Sequence, residues 1–218
     1  GSDVVKDQKT NKFSVFTEFL SKWGILITVV LIILFFTFML PDMYLTQSNV
    51  INILRSISIT TVIAIGLTIS ISVNGLDLSV GSSATLASTL VVSFFVWYSM
   101  PASLAIPLAL LITLVVALLN ALLIVIVKIP DLYATLATMF IFEGVAMTYS
   151  GGGSISVGMP RLDGTPTEGT LPAIFQKIGQ TPWIIIIMVI VVLLVYFLME
   201  HTKYGRYMYM IGGNFEAA

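Results

Sequence analysis

The sequence predicts an all-α, polytopic membrane protein, and three observations support that prediction. Of the 218 residues, 57% are hydrophobic and only 10% are charged, whereas soluble domains are about half apolar and about a quarter charged. Six apolar runs follow one another along the chain, each about as long as a membrane-spanning helix. Polar segments rich in Gly, Pro and Ser separate these runs. So few charges cannot cover the surface of a soluble protein of this length.

The first three runs differ in character. Residues 1–22 form a polar tail, and the run 23–41 lacks the cleavage site of a secretory signal, so it is predicted to be a retained helix. The second run, 52–73, is rich in Ser and Thr, which suits burial among other helices. The third run, 80–98, carries small residues at helical spacing, which predict a close helix contact through Gly81, Ala84, Thr85 and Ser88.

The last three runs are separated by stronger breaks. The fourth run, 103–127, ends before Pro130, because proline disfavours helix in the residue that precedes it. Asp131 suits the first turn of the fifth helix, 132–149. Residues 150–181 form a connection that is longer than a simple link between two helices requires. This length predicts a loop folded over one mouth of the protein. The sixth run, 182–199, is followed by a polar segment, 200–218, that is interleaved with aromatic residues.

The distribution of Lys and Arg predicts the orientation of these helices. With the amino end in the cytoplasm, seven of the ten basic residues fall on the cytoplasmic side and three on the outside. Cytoplasmic loops carry the excess of Lys and Arg. We therefore expect a cytoplasmic amino end, an external loop at 150–181 and a cytoplasmic carboxyl segment.

A polar, glycine-bracketed stretch between the second and third runs, called the island below, covers residues 74–83. An unpaired carboxylate at this place would cost about 3 kcal/mol in lipid. The presence of Asp77 therefore predicts either a position outside the lipid or a functional role. Glycines permit a sharp reversal or a broken helix, and Asp77 or Ser79 can cap the helix that follows. Two interpretations stay open at this point, a capped cytoplasmic turn and an interrupted helix that lines a cavity. The candidate pathway or hinge residues are Asn74, Gly75, Asp77, Ser79, Gly81 and Glu143.

Several classes of function find no support in the residues. The chain has no cysteine and one histidine, and Gly151-Gly152-Gly153 lacks the lysine of a nucleotide-binding phosphate loop. A net charge of −1 gives no basic patch for nucleic acid. We therefore predict no catalytic residues, no metal site and no cofactor.

Three ordered motifs make the chain resemble the permease subunits of ribose-type (monosaccharide) ABC importers. Gly75 to Ser82 is similar to the family pattern Gly-Ile-Asp-Leu-Ser-Val-Gly-Ser, with Leu76 in place of Ile. A second pattern matches Pro130, Ala134, Thr135, Leu136, Ala137 and Thr138. The third matches Thr202 to Ala218, with Met210 where Ala is usual. The resemblance covers nearly everything after the polar tail. The chain is similar to the amino-terminal portion of such a permease, so further helices are expected after residue 218.

This resemblance implies an assembly that periodicity does not show. Two permease copies form the pathway in the bacterial plasma membrane, cytoplasmic ATPase subunits drive it, and an extracytoplasmic binding protein delivers the sugar. The resemblance also implies that residues 200–218 are the segment that couples to the ATPase. Its candidate residues are Gly205, Arg206, Gly212, Gly213, Asn214, Glu216, Ala217 and Ala218.

Two other interpretations remain open. A proton- or ion-coupled secondary carrier would use Asp77 and Glu143 as a titrating pair, because such carriers need carboxylates within the membrane. A structural membrane subunit would make no contact with a substrate.

Overall fold

The computed structural model describes residues 2–73 and 75–214, with side chains from residue 11 onward. Within these residues the chain forms helices and loops without strands. A π-helical turn, Leu122–Ile126, continues the fourth helix. The helices are α1 (Ser2–Met39), α2 (Gln47–Ser72), α3 (Val80–Val96), α4 (Ala102–Ala121), α5 (Asp131–Ser150), α6 (Ala173–Ile178), α7 (Trp183–His201) and α8 (Lys203–Gly213).

All six predicted apolar runs are helical, which confirms the prediction of a polytopic all-α protein. Five of these helices, α1, α2, α4, α5 and α7, are long and apolar enough to cross a membrane. The exception is α3, whose 17 residues rise only about 25 Å at the helical rise per residue. The hydrocarbon core of a bilayer is about 30 Å thick.

The chain divides into two compact units, with the boundary in the sequence between Ile53 and Leu54. In the first unit, α1 is a single helix that includes most of the polar tail as well as the apolar run. Its end is followed by a turn in which the Tyr44 ring stacks on Phe36 with centroids 5.6 Å apart. The large apolar side chains of α1 are exposed, as expected for a helix that faces lipid or other helices.

The core of the second unit lies where α3 packs on both α4 and α5. Leu86, Leu90, Phe94 and Phe95 of α3 fill it, against small and branched residues of the two neighbours. The predicted contact face of α3 is wrong for this unit, because Gly81, Thr85 and Ser88 are exposed and Ala84 is only half-buried. The opposite face, with the larger side chains, is the one that packs, and these side chains make many dispersion contacts with α4 and α5.

The predicted loop between α5 and α7 is folded onto the carboxyl end of α3. Arg161 donates two hydrogen bonds to the Trp97 carbonyl, from Nε at 3.0 Å and from Nη2 at 2.7 Å. Its guanidinium also lies over the Tyr98 ring, 4.6 Å from the centroid. Gly169 is buried where a Cβ atom would overlap the Phe95 carbonyl oxygen. The loop and the island are therefore at opposite ends of α3.

Candidate functional site: the island and its cavity

The island begins with a close approach to the last turns of α2. Gly75 donates its N–H to the Ser70 carbonyl at 3.0 Å, and the Ser70 hydroxyl donates to the Gly75 carbonyl at 3.2 Å. A Cβ atom on Gly75 would lie 3.3 Å from the Ser70 carbonyl oxygen, which is tighter than ordinary contact. Glycine at this position lets the chain leave α2 and turn back against it.

Asp77 organises the other end of the island. Its Oδ1 accepts the Ser79 N–H at 2.8 Å and the Ser79 hydroxyl at 2.6 Å. Ser79 is the N-cap residue of α3, but its side chain makes no capping hydrogen bond. Of the two predicted caps, Asp77 or Ser79, the Ser79 hydroxyl does not cap α3, and its oxygen accepts a hydrogen bond from Asn120 instead. Asp77 binds the N–H that immediately precedes the first turn.

Two residues that were not predicted as site residues extend this contact into the core. Asn120 of α4 donates from Nδ2 to Ser79 Oγ at 2.9 Å, and Thr138 of α5 donates to Asn120 Oδ1 at 2.7 Å. Thr138 is 0% exposed, Ser79 is 1% exposed and Asn120 is 8% exposed. The available sequence signal for Asn120 is its position as the one amide side chain in the apolar run 103–127. Thr138 lies within the second motif.

Asp131 ties the island to the start of α5. The structure confirms it as the first residue of that helix, where its Oδ1 accepts the Leu132 N–H at 2.9 Å. Its Oδ2 accepts the Leu76 N–H at 2.7 Å, across the gap between the island and α5. The island is thus bonded to α2 through Ser70, to α4 through Asn120 and to α5 through Asp131 and Thr135, whose hydroxyl lies 3.4 Å from the Leu76 carbonyl.

A cavity of about 490 Å³ opens beside the island. Its polar lining comes from Ser70, Asp77, Asn120, Lys128, Asp131 and Thr135. Lys128 follows the π-helical turn and has a φ of 62°, in the left-handed region that a lysine seldom adopts. Such π-helical turns occur frequently at functional sites. The cavity offers carboxylates, an ammonium and hydroxyls, which are groups that can hydrogen-bond a polar solute.

The remaining pathway or hinge candidates lie apart from this cavity or outside the described residues. Gly81 is exposed in the first turn of α3, with open space where a Cβ atom would be. Glu143 lies on an exposed side of α5 and has no hydrogen bond or ion pair within the part of the chain that the structure describes. Asn74 falls outside the described residues. The structure therefore brings Gly75, Asp77 and Ser79 together and leaves Glu143 separate.

The carboxyl segment forms a short helix, α8, fixed to the end of α7. Thr202 caps α8 by accepting the Gly205 N–H at 3.4 Å, and its hydroxyl donates to the Leu198 carbonyl. Gly205 is buried, and a Cβ atom there would overlap the carbonyls of Leu198 and Met199. The Tyr209 hydroxyl donates to Glu200 Oε1 at 3.0 Å. A glycine and two side-chain bonds therefore hold α8 against α7.

The other predicted coupling residues lie along α8 or beyond it. Arg206 is exposed and lines a shallow surface depression with Lys203, Tyr207, Tyr209 and Met210. Gly212 and Gly213 lie in the last turn, and Asn214 ends the helix with its N–H on the Met210 carbonyl at 3.1 Å. Glu216, Ala217 and Ala218 fall outside the described residues. Among the side chains that the structure describes, those of residues 11–73 and 75–214, no group of three His, Asp or Glu residues is placed to hold a metal ion.

Comparison with known proteins assigns the family. The model of the branched-chain amino acid transport system / permease component family matches residues 49–218, which include the island and α8. The chain belongs to this permease family. Its helices and its membership make it a multi-pass protein of the bacterial plasma membrane.

Several curated relatives of this permease are sugar transport proteins. The ribose import permease protein of Haemophilus influenzae is 32% identical over 215 residues, which are 96% of this chain and 62% of the relative. The ribose import permease protein of Bacillus subtilis is 34% identical over 93% of the chain and 61% of the relative. The xylose transport system permease protein of Escherichia coli K12 is 26% identical over 87% of the chain and 62% of the relative.

These comparisons confirm the resemblance to ribose-type permeases. The chain spans about three-fifths of the length of the curated relatives that it matches. No solved structure matches it. The alternative of a proton- or ion-coupled carrier is not supported by these matches, and the structure does not bring its proposed pair, Asp77 and Glu143, together.

Proposed function

We propose that this chain is the membrane-spanning permease subunit of an ATP-driven sugar importer. The observation that carries the proposal is the similarity to a ribose import permease along 96% of the chain. In such an importer the permease forms the translocation pathway, while a separate cytoplasmic ATPase supplies the energy. An extracytoplasmic binding protein delivers the sugar, so the permease itself is not a catalyst.

The structure supports α8 as the segment that contacts the ATPase. This helix is short, is followed by a non-helical end at Asn214, and presents Lys203, Arg206, Tyr207 and Met210 as exposed side chains. Tyrosine, methionine and arginine are enriched in protein interfaces. Because Gly205 and the Tyr209–Glu200 bond fix α8 to α7, a force on α8 would be passed to a membrane-spanning helix.

The structure also supports Glu143 as a residue that faces water or a polar partner. Its carboxylate is exposed near Phe140 and Met147, whose side chains are 64% and 52% exposed. A carboxylate at the centre of a bilayer costs about 3 kcal/mol even by insertion scales, so this side of α5 does not suit lipid. We place it along the pathway, facing a second permease copy.

The island is placed at the cytoplasmic end of the pathway and acts as a hinge. The predicted orientation puts the starts of α3 and α5 on the inner side. The cavity lined by Asp77, Lys128 and Asp131 lies at that end. Sugar hydroxyls can both donate to carboxylates and accept from an ammonium, so this lining suits a sugar that leaves toward the cytoplasm.

ATP-dependent uptake tests the proposed function. Vesicles that contain the permease, its ATPase and its binding protein should take up labelled ribose or xylose when ATP is supplied. Asp77→Ala should lower the initial uptake rate at equal protein level, whereas Asp42→Ala, in the exposed turn after α1, should not. Uptake driven by a proton gradient without ATP would contradict the proposal.

Co-purification tests the coupling segment separately. Arg206→Glu or Glu216→Arg should lower the amount of ATPase recovered with the permease, because each reverses a charge in the proposed interface. Lys177→Glu, on the exposed helix α6, is the matched charge reversal at a different site and should leave recovery unchanged. Equal recovery of the ATPase from all these variants would remove α8 from the interface.

A further inference from the structure

The ties of the island differ in how deeply they are buried. The tie through Ser70 involves half-buried residues, and the ties from Asp131 and Thr135 reach the backbone of the exposed Leu76, whereas the tie through Asn120 runs through the buried side chains of Thr138, Asn120 and Ser79. We infer that Asn120 is a positioning residue, which acts through Ser79 to orient the Asp77 carboxylate and to hold the island on α4 and α5. This inference rests on the proposed function only for the role of the island as a hinge.

Three side-chain hydrogen bonds link Thr138 to Asp77, and all three donate in the direction of Asp77. The Thr138 hydroxyl donates to Asn120, Asn120 donates to Ser79, and the Ser79 hydroxyl donates to Asp77. The Thr138 bond to Asn120, at 2.7 Å, is shorter than its 3.1 Å contact with the Thr135 carbonyl. A flipped amide would compete with Asp77 for the one Ser79 proton, because a hydroxyl donates only once. The observed direction is therefore the one that satisfies the Asp77 carboxylate.

This direction controls which oxygen of Asp77 is available. Both hydrogen bonds from Ser79 go to Oδ1. Among the described residues, no partner is found for Oδ2, and Asp77 lines the cavity. With Oδ1 held by Ser79 and Ser79 held by Asn120, the position of Oδ2 is set from α4. Asn120 thus orients the group that would meet a polar solute in the cavity.

If Asn120 served only to pack against its neighbours, an apolar side chain of similar shape would stabilise the fold as well as Asn120 does. Buried polar groups require partners, and replacing both members of a buried pair by apolar groups of similar shape is often nearly neutral for stability. Leucine and valine match Asn120 and Thr138 in shape. The double substitution Asn120→Leu/Thr138→Val therefore separates the positioning role from a structural role.

Cysteine labelling gives a measurement that needs neither sugar nor ATPase. The chain has no cysteine, so a single Leu78→Cys, at a half-buried position of the island, can be labelled with a maleimide. Adding Asn120→Leu/Thr138→Val should raise the labelling rate about fivefold, the effect of losing one ordinary hydrogen bond on an opening equilibrium. The thermal midpoint should stay near that of the parent. Leu162→Cys, in the loop at the other end of α3, should label at the same rate in both backgrounds.

Thr138→Val alone provides a second variant that keeps the bond from Asn120 to Ser79. It should raise labelling at Leu78→Cys by no more than about twofold. An unchanged labelling rate in the double variant, with its midpoint preserved, would overturn the inference. Increases that merely follow the loss of thermal stability across these variants would do so as well. Because uptake is measured separately, failure of the inference and failure of the proposed function are distinguishable.

Discussion

Replacing Gly205 with alanine is the sharpest test of the joint between α7 and α8. The new Cβ atom would overlap the carbonyls of Leu198 and Met199, which belong to the rigid backbone of the last turns of α7. Nonbonded heavy atoms settle at about 3.5 Å, so α8 must move away by about 1 Å. That movement also stretches the cap that Thr202 provides to the Gly205 N–H.

Effects of opposite sign determine how much Gly205→Ala changes the free energy that holds α8 against α7. Alanine favours a helix over glycine by about 1 kcal/mol. Against this, overpacking costs about 1–3 kcal/mol, and loss of a helix cap costs about 1 kcal/mol. The overlap wins by about 1–3 kcal/mol, which raises the population of detached α8 roughly fivefold to a hundredfold. At Gly213 nothing lies within 4 Å of a Cβ atom, so Gly213→Ala retains only the helix-propensity gain.

Limited digestion with trypsin measures this population, because Lys203 and Arg206 lie in α8. Cleavage of a transiently open segment follows its equilibrium population when closing is fast. Gly205→Ala should be cut in α8 faster than the parent, and Gly213→Ala should be cut at the same rate or more slowly. Cleavage after Lys177, in α6, serves as the reference within each digest. A Gly205→Ala protein as resistant as the parent would refute the account of the joint.

Three further predictions address other single contacts. Asp131→Ala should lower the thermal midpoint more than Asp131→Asn, because alanine removes both acceptors whereas an amide keeps one, a difference of about 1 kcal/mol. Arg161→Ala should increase proteolysis of the loop at residues 151–172 relative to Arg161→Lys, because lysine keeps a cation for the Trp97 carbonyl. The hydrogen bond to Glu200 raises the pKa of Tyr209, so this contact is fully present below the ordinary value of about 10 and is lost as the pH rises through the raised pKa. The thermal midpoint should therefore fall through that range in the parent more than in Tyr209→Phe, which lacks the bond at every pH.

The sequence was sufficient for the elements of the fold because its signals there are local. Apolar length predicts the helices α1, α2, α4, α5 and α7, and Pro130 with Asp131 predicts where α5 begins. The short helix α3 was also predicted, although it stops at Val96 rather than extending to residue 98. The face of α3 that packs within this unit was not predicted, because small residues mark a close approach in many membrane helices without naming the neighbour.

The side chains that tie Ser79 to α4 and α5 could not be predicted, because they come from distant parts of the chain. Ser79 and Asn120 are 41 residues apart in sequence, and Asn120 and Thr138 are 18 residues apart. Helical periodicity identifies residues that share a face of one helix, but not the residues that meet between two helices. A solitary amide within an apolar run is the general signal available, since a buried polar group requires a partner. That signal indicates that a contact exists without identifying it.

The forces that hold the island and the core differ in a way that bears on movement. Between membrane helices, a phenylalanine such as Phe95, which is 0% exposed, is held by dispersion contacts of about 0.1–0.2 kcal/mol each, and many such contacts join α3 to α4 and α5. Each tie of the island is one or two hydrogen bonds, and a typical net contribution is about 1 kcal/mol per bond. A displacement of α2, α4 or α5 would therefore break or exchange these ties before it separated the packed core. Such a connection can change its bonds while the three-helix core stays intact, which is the property that a hinge beside a transport pathway requires.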